Sequence, residues 1–172
     1  KGDTLKDLGV GSILHDIGKV MISDAILQKP ASLTLEEFNE VKKHTIYGYE
    51  ILKRSSDINS TMQTITLSHH ERIDGSGYPY NLKGNDIPLM ARIVAIADVY
   101  DALTTNRVYR KRMLPHEVVD YMCLLAGRHF DKSILDTFIR HIAHYPIGTG
   151  VVLNTGEKGL VSRYNNEFPN RP

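Results

Sequence analysis

At 172 residues the chain has the length of one domain, or of one domain with a small appendage. Hydrophobic residues are 41% and charged residues 24%, which excludes a disordered tail or a collagen-like array. Lys+Arg 21 against Asp+Glu 20 leaves a formal charge of +1, which excludes a polyanion binder working on bulk charge and leaves room only for local basic patches.

The chain opens almost directly into an apolar pattern at Lys1, so a fragment of something longer is expected. From Leu5 to about Gly18, the residues Leu5, Leu8, Ile13, Leu14 and Ile17 fit a helical face loosened by Gly9 and Gly11. Lys29-Pro30 punctuates the next loop. Thr34, three residues before Glu37, is a capping box that opens a helix through Phe38, Val41 and Ile51-Leu52. Ile58 to His70 reads as a third helix, and the glycines and prolines of Asp74–Pro88 make a structured loop. Met90 to about Thr104 is a very apolar helix. Pro115 suits a first helical position, opening a helix to about Ala126, and Asp131 caps another ending near His144. After Pro146 the texture changes: Val151–Leu153 and Leu160-Val161, around a Gly-containing turn, predict a β-hairpin. The expected fold is all-α, a helical domain over 1–145 with a hairpin and tail over 146–172. Cys123 is the single cysteine, so there is no internal disulfide framework. No apolar stretch approaches bilayer length and no leader is recognisable, so the expectation is a cytoplasmic protein.

Four places can carry chemistry. His15-Asp16 pairs imidazole with carboxylate, donors suited to divalent transition ions, although alone the pair also suits a helix cap. His69-His70 are neighbours that a regular helix points about 100° apart. Both serve one site only at a distorted helix end or around two close metals; otherwise they are cations at a helix C-terminus. Asp98 is a carboxylate inside Arg92-Ile-Val-Ala-Ile-Ala-Asp98, costly to bury without a cation, with Asp101 on roughly the same face. His44 stands alone in the Thr34 helix. Together these outline a metal site in a helical bundle, the kind that supports phosphoester hydrolysis when two metals sit close together. Arg107, Arg110, Lys111 and Arg112 follow the Asp98 helix; Arg107 and Arg110 suit phosphate, and Lys111 and Arg112 read as a solvated helix end.

The text resembles the HD-GYP family, a branch of the HD-domain metal-dependent phosphohydrolases. The resemblance is carried by Leu14-His15-Asp16-Ile17-Gly18-Lys19, by Ile26-Leu-Gln-Lys29-Pro30, and by Lys43-His44 with Gly48. It continues in His69-His70-Glu71 with Asp74-Gly75-Ser76-Gly77-Tyr78-Pro79, and in Ala91-Arg-Ile-Val-Ala-Ile-Ala-Asp98-Val-Tyr-Asp101 with Arg107-Val-Tyr109-Arg110. It runs from about Leu5 to the hairpin. It implies an HD-type bundle and a phosphodiesterase that opens cyclic di-GMP to pGpG or GMP through a metal-bridged hydroxide.

Carried over by position, the resemblance makes His15, Asp16, His44, His69, His70 and Asp98 the metal ligands, with Asp16 bridging. The cofactors it implies are two or three divalent ions, Fe or Mn. Asp16 and Lys19 are the catalytic positions. Lys19, Asp101, Arg107, Arg110, Gly77 and Tyr78 are the substrate-binding positions. The Asp74–Pro79 loop implies GGDEF-domain partners, and a sensory or receiver domain is expected upstream. Neither a nucleic-acid polymer nor a membrane is implied, and homodimerisation is left open. The family pattern also has a histidine, sometimes with a glutamate, on a helix well before His15. None of the fourteen residues preceding His15 is His or Glu, so a further helix carrying a histidine is expected before Lys1. A catalytically idle cyclic di-GMP-sensing or protein-interaction module is the alternative. A nucleotidase for other phosphoesters is a third reading, which the Asp74–Pro79 loop disfavours.

Overall fold

A computed structural model describes residues 2–106 and 111–165. Helices α1 (Gly2–Leu14), α2 (Asp24–Leu27), α3 (Leu35–Lys42), α4 (His44–Leu52), α5 (Ser60–Ser68), α6 (Leu89–Thr104), α7 (Pro115–Leu124) and α8 (Lys132–His141) are followed by a two-stranded antiparallel sheet. Strands β1 (Gly150–Val152) and β2 (Lys158–Leu160) pair Gly150 with Leu160 and Val152 with Lys158. The all-α architecture with a small hairpin is as the sequence implies.

Helix α6 is central because two of its faces are buried. Ala91, Val94 and Ala95 are buried, and α6 packs against α5. Ile96 enters a core with Val118 and Met122 of α7, Phe130, and Leu135 of α8. A helix apolar all round belongs between two layers. The far half is pinned by Asp131, whose side chain accepts from the Ser133 and Ile134 amides at the start of α8. The same carboxylate takes Arg92 of α6 at 2.8 Å.

Three expectations need correction. The expected face of the first helix does not hold, since Leu5 and Ile13 are 72% and 82% exposed. Helix α1 instead meets α5 through Gly11, where a Cβ would come within 2.5 Å of Ile65 Cδ1. At about 100° per residue, Leu5 and Ile13 lie 120° or more round the helix from Gly11. The helix opened by Thr34 does not run through to Leu52 but breaks at Lys43. There the His44 ring and the Thr45 hydroxyl bond the Val41 and Lys42 carbonyls, offering the backbone an alternative to a continuous ladder. The predicted Ile58–His70 helix is shorter, Ser60–Ser68, because Asn59 caps the Met62 amide and the chain turns at His69-His70. The capping box itself forms: Thr34 Oγ1 accepts from the Glu37 amide, and Glu37 Oε2 accepts from that of Thr34. Lys29 also ion-pairs with Glu37 at 2.6 Å, tying the Lys29-Pro30 turn to α3.

Candidate metal centre

The site is assembled at one close contact. His15 and Asp16 occupy the turn between α1 and a short 3-10 turn, Ile17–Met21. A Cβ on Gly18 would stand 1.9 Å from the His44 carbonyl oxygen and 2.4 Å from the Gly48 nitrogen. Only glycine lets α4 lie against this turn, and that contact brings His44 to Asp16. His69 and His70 enter from the frayed end of α5, with ring centroids 4.1 Å apart. The distorted helix end is the reason neighbours reach one site.

The donor atoms converge. His44 Nε2 lies 3.3 Å and His69 Nε2 3.8 Å from Asp16 Oδ1. His15 Nε2 lies 3.3 Å from Asp16 Oδ2 and 3.6 Å from Asp98 Oδ1. Asp16, His44, His69 and His70 each offer a ligand atom, all within 4.8 Å of one another. His44 and His69 are almost fully buried.

The tautomers are set by the backbone. Nδ1 of His15 donates to Ser12 O at 2.6 Å, that of His44 to Val41 O at 2.7 Å, and that of His69 to Thr66 O at 2.9 Å. In a neutral ring each Nε2 then carries a lone pair. The lone pairs of His44 and His69 face one another at 3.4 Å, an arrangement that calls for a cation. His15 Nε2 and Asp16 Oδ1 are buried with no well-formed hydrogen bond. A divalent ion satisfies each of these atoms, so the residues fit a metal.

Protonation agrees. Burial alone would raise the Asp16 pKa, but bonds from His15, His44 and Lys19 hold it well below the carboxylate range. Burial and then the neighbouring histidines lower His69 to about 4 and His70 to about 2, leaving both neutral near pH 7. Burial opposes a charge on His15 too, but Asp16 and Asp98 outweigh it and raise its pKa to about 10, so without a metal His15 is a cation between the two carboxylates and gives up a proton to become a ligand. Asp98 is likewise held low: its burial cost is overcome by His15 and the other histidines.

The Asp74–Pro88 loop borders the centre. The Tyr78 ring lies 4.8 Å from that of His70, tilted by 32°. Burial, then Asp16 and Asp98, push the Tyr78 hydroxyl above its usual pKa, so it stays a neutral donor. Gly77 is buried, with a notional Cβ 2.5 Å from Glu71 Cα. Lys19 donates to Asp16 Oδ2 at 2.5 Å. Asp101 is exposed one turn beyond Asp98, and its carboxylate accepts from the Thr105 hydroxyl at 3.4 Å. It is not drawn into the donor cluster. Lys111 and Arg112 are exposed, as a solvated segment would be. Arg107 and Arg110 lie outside the described residues. Sequence reading missed the orienting carbonyls of Ser12, Val41 and Thr66. Their signal was indirect: each stands three residues before its histidine.

A family model described as an HD domain matches residues 2–134. The chain belongs to the HD domain family. Within that family, the chain is 39% identical over 157 residues to a cyclic di-GMP phosphodiesterase of Pseudomonas aeruginosa, covering 91% of this chain and 38% of that protein. It is 43% identical over 131 residues to a 3'3'-cGAMP-specific phosphodiesterase of Vibrio cholerae, covering 76% and 25%. It thus spans well under half of the length of either relative. Among solved structures, an HDG"Y"P protein of Bdellovibrio bacteriovorus superposes with a TM-score of 0.62 at 26% identity, over 80% of this chain and 44% of that one. The HD-GYP resemblance read from the motifs accords with these relatives. An HD domain holding this Asp/His set points to divalent metal binding. No helix among the described residues is long and apolar enough to cross a membrane.

Proposed function

We propose that this HD domain is a metal-dependent phosphodiesterase for cyclic dinucleotides, with cyclic di-GMP as its substrate. The observation that carries the reading is the convergence of Asp16, His44, His69 and His70, with backbone carbonyls holding the Nδ1 atoms of His44 and His69 and freeing each Nε2 for a ligand. Asp16 faces donors on two sides, Oδ1 toward His44 and His69 and Oδ2 toward His15, which suits a carboxylate shared by two ions. Asp98 and His15 complete the second side. Mixed imidazole and carboxylate donors accept Fe, Mn, Ni or Zn, and Fe or Mn is what the family resemblance implies. Such ions activate water near neutral pH and neutralise charge on a phosphodiester.

The chain's own residues do the rest. Lys19 fixes Asp16 through one of its three ammonium donors and keeps the others for a phosphate oxygen. Tyr78 covers His70 with its ring and keeps a neutral hydroxyl. Arg107 and Arg110, in the segment after α6, supply planar donors to the phosphates. A second substrate, 3'3'-cGAMP, is favoured by the Vibrio relative at 43% identity. The test is to load the protein with Mn²⁺ or Fe²⁺ and measure linear products from each dinucleotide by chromatography. Turnover by the loaded protein that is absent from Asp16→Ala supports the reading. A metal-loaded protein that cleaves neither dinucleotide overturns it.

A further inference from the structure

Among the described residues, His70 lacks the support that its three neighbours have. The Nδ1 atoms of His15, His44 and His69 are each held by a backbone carbonyl, whereas no carbonyl holds a ring nitrogen of His70. What meets its ring from outside the donor set is Tyr78, and the backbone joins them: the Tyr78 amide donates to the His70 carbonyl at 3.2 Å.

The loop that carries Tyr78 is wound around one buried carboxylate. Glu71 is 3% exposed. Its Oε1 accepts from the Tyr80 amide at 2.7 Å and its Oε2 from the Leu82 amide at 3.0 Å. Gly77 sits directly on the Glu71–Arg72 backbone, too close for any side chain. Asn81, at a φ of 57°, turns the chain so that amides on either side of it meet the two carboxylate oxygens. A buried carboxylate holding two backbone amides is a strong local constraint, since losing it takes a charged acceptor from both donors.

We propose that Glu71 is a positioning residue: by clamping the Tyr80 and Leu82 amides it sets the Tyr78 ring against His70 and thereby orients His70 among the metal donors. The proposal rests on the metal reading above for its consequence, though not for its geometry. Outer residues that orient ligands are worth roughly 10–100-fold in metal affinity.

The geometry is tested on the metal-free protein by NMR of ¹³C-labelled histidine rings, with the His70 signal assigned by its loss in His70→Gln. Tyr78→Leu should move that signal by removing the ring current. Glu71→Gln should move it in the same direction, and Glu71→Asp, which keeps the charge but cannot reach both amides, by less. Mn²⁺ affinity should fall about tenfold in Glu71→Gln, and Glu71→Gln added to Tyr78→Leu should cost nothing more. A His70 signal unmoved by either Glu71 variant overturns the proposal. So does an undiminished Glu71→Gln effect on affinity in the Tyr78→Leu background. If Glu71→Gln does not fold by circular dichroism, Glu71→Asp carries the comparison. If the unsubstituted protein binds no Mn²⁺, the metal reading falls while the His70 signal still decides the positioning role.

Discussion

Gly18→Ala should damage both the fold and the metal centre, and the structure says by how much. The added methyl would sit 1.9 Å from the His44 carbonyl oxygen and 2.4 Å from the Gly48 nitrogen, where ordinary contact begins at 3.4 Å. Both obstacles are backbone, so relief requires α4 to move about 1.5 Å off the turn that carries Asp16. Overpacking of this kind costs about 1–3 kcal/mol, and with no flexible side chain to yield the upper end applies. At about 2–4 °C per kcal/mol for a chain of this size, melting should drop by about 6–12 °C. The same shift pulls His44 Nε2 from Asp16 Oδ1, now at 3.3 Å, and should weaken Mn²⁺ binding about tenfold or more. Gly9→Ala is the control, since nothing lies within 4 Å of its notional Cβ inside α1. It should raise stability by about 0.5–1 kcal/mol through helix propensity and leave Mn²⁺ binding alone. Thermal melts in chelator and calorimetric Mn²⁺ titrations measure both effects. A Gly18→Ala protein that melts with the unsubstituted one and binds Mn²⁺ equally would refute the argument that this glycine brings His44 to Asp16.

Asp131→Ala removes the α8 cap and the ion pair with Arg92, which keeps only its bond to Asn85, so it should cost about 2–3 kcal/mol in a urea titration while Mn²⁺ affinity stays unchanged; an unchanged midpoint would count against the cap. The metal-free protein should lose stability steeply as pH falls from about 6 to 4. His69 and His70 have folded pKa values of about 4 and 2, below their usual 6.5, so in this range the unfolded chain takes up protons that the folded one refuses. The expected slope is about 1.4 kcal/mol per pH unit for each histidine, and urea midpoints that are flat over that range would refute it. Arg107→Ala and Arg110→Ala should weaken binding of cyclic di-GMP while shifting the melting temperature only slightly. Equal affinity in both would place the phosphate contact elsewhere.

The donors that the structure brings together were legible because they sit in spaced, chemically unusual text. A carboxylate at position 98 among Ile, Val and Ala, and adjacent histidines at 69 and 70, are placements that need a reason. The capping box at Thr34, Pro115 opening α7 and Asp131 capping α8 were local signals and formed as local signals do. What stayed hidden depends on contacts between segments distant in sequence. The break at Lys43 arises where side chains take carbonyls next to His44 as it enters the cluster. The outward turn of Leu5 and Ile13 follows from α1 meeting α5 through Gly11, a contact that hydrophobic periodicity does not register. Gly18 and Gly48 stood inside the motifs, but what they do shows only when α4 is seen against the turn. Glu71 stood inside a motif, but its role lies in amides nine and eleven residues away.

The most direct test of the central claim is anomalous diffraction at the Mn edge from crystals of the protein grown with Mn²⁺. A peak is expected at coordination distance from Asp16, from Nε2 of His44 and His69, and from a ring nitrogen of His70, with a second peak on the His15–Asp98 side of Asp16. No such peak should survive in Asp16→Ala. Crystals with Mn²⁺ bound elsewhere, or with the Asp16–His44–His69 cluster holding none, would contradict the claim.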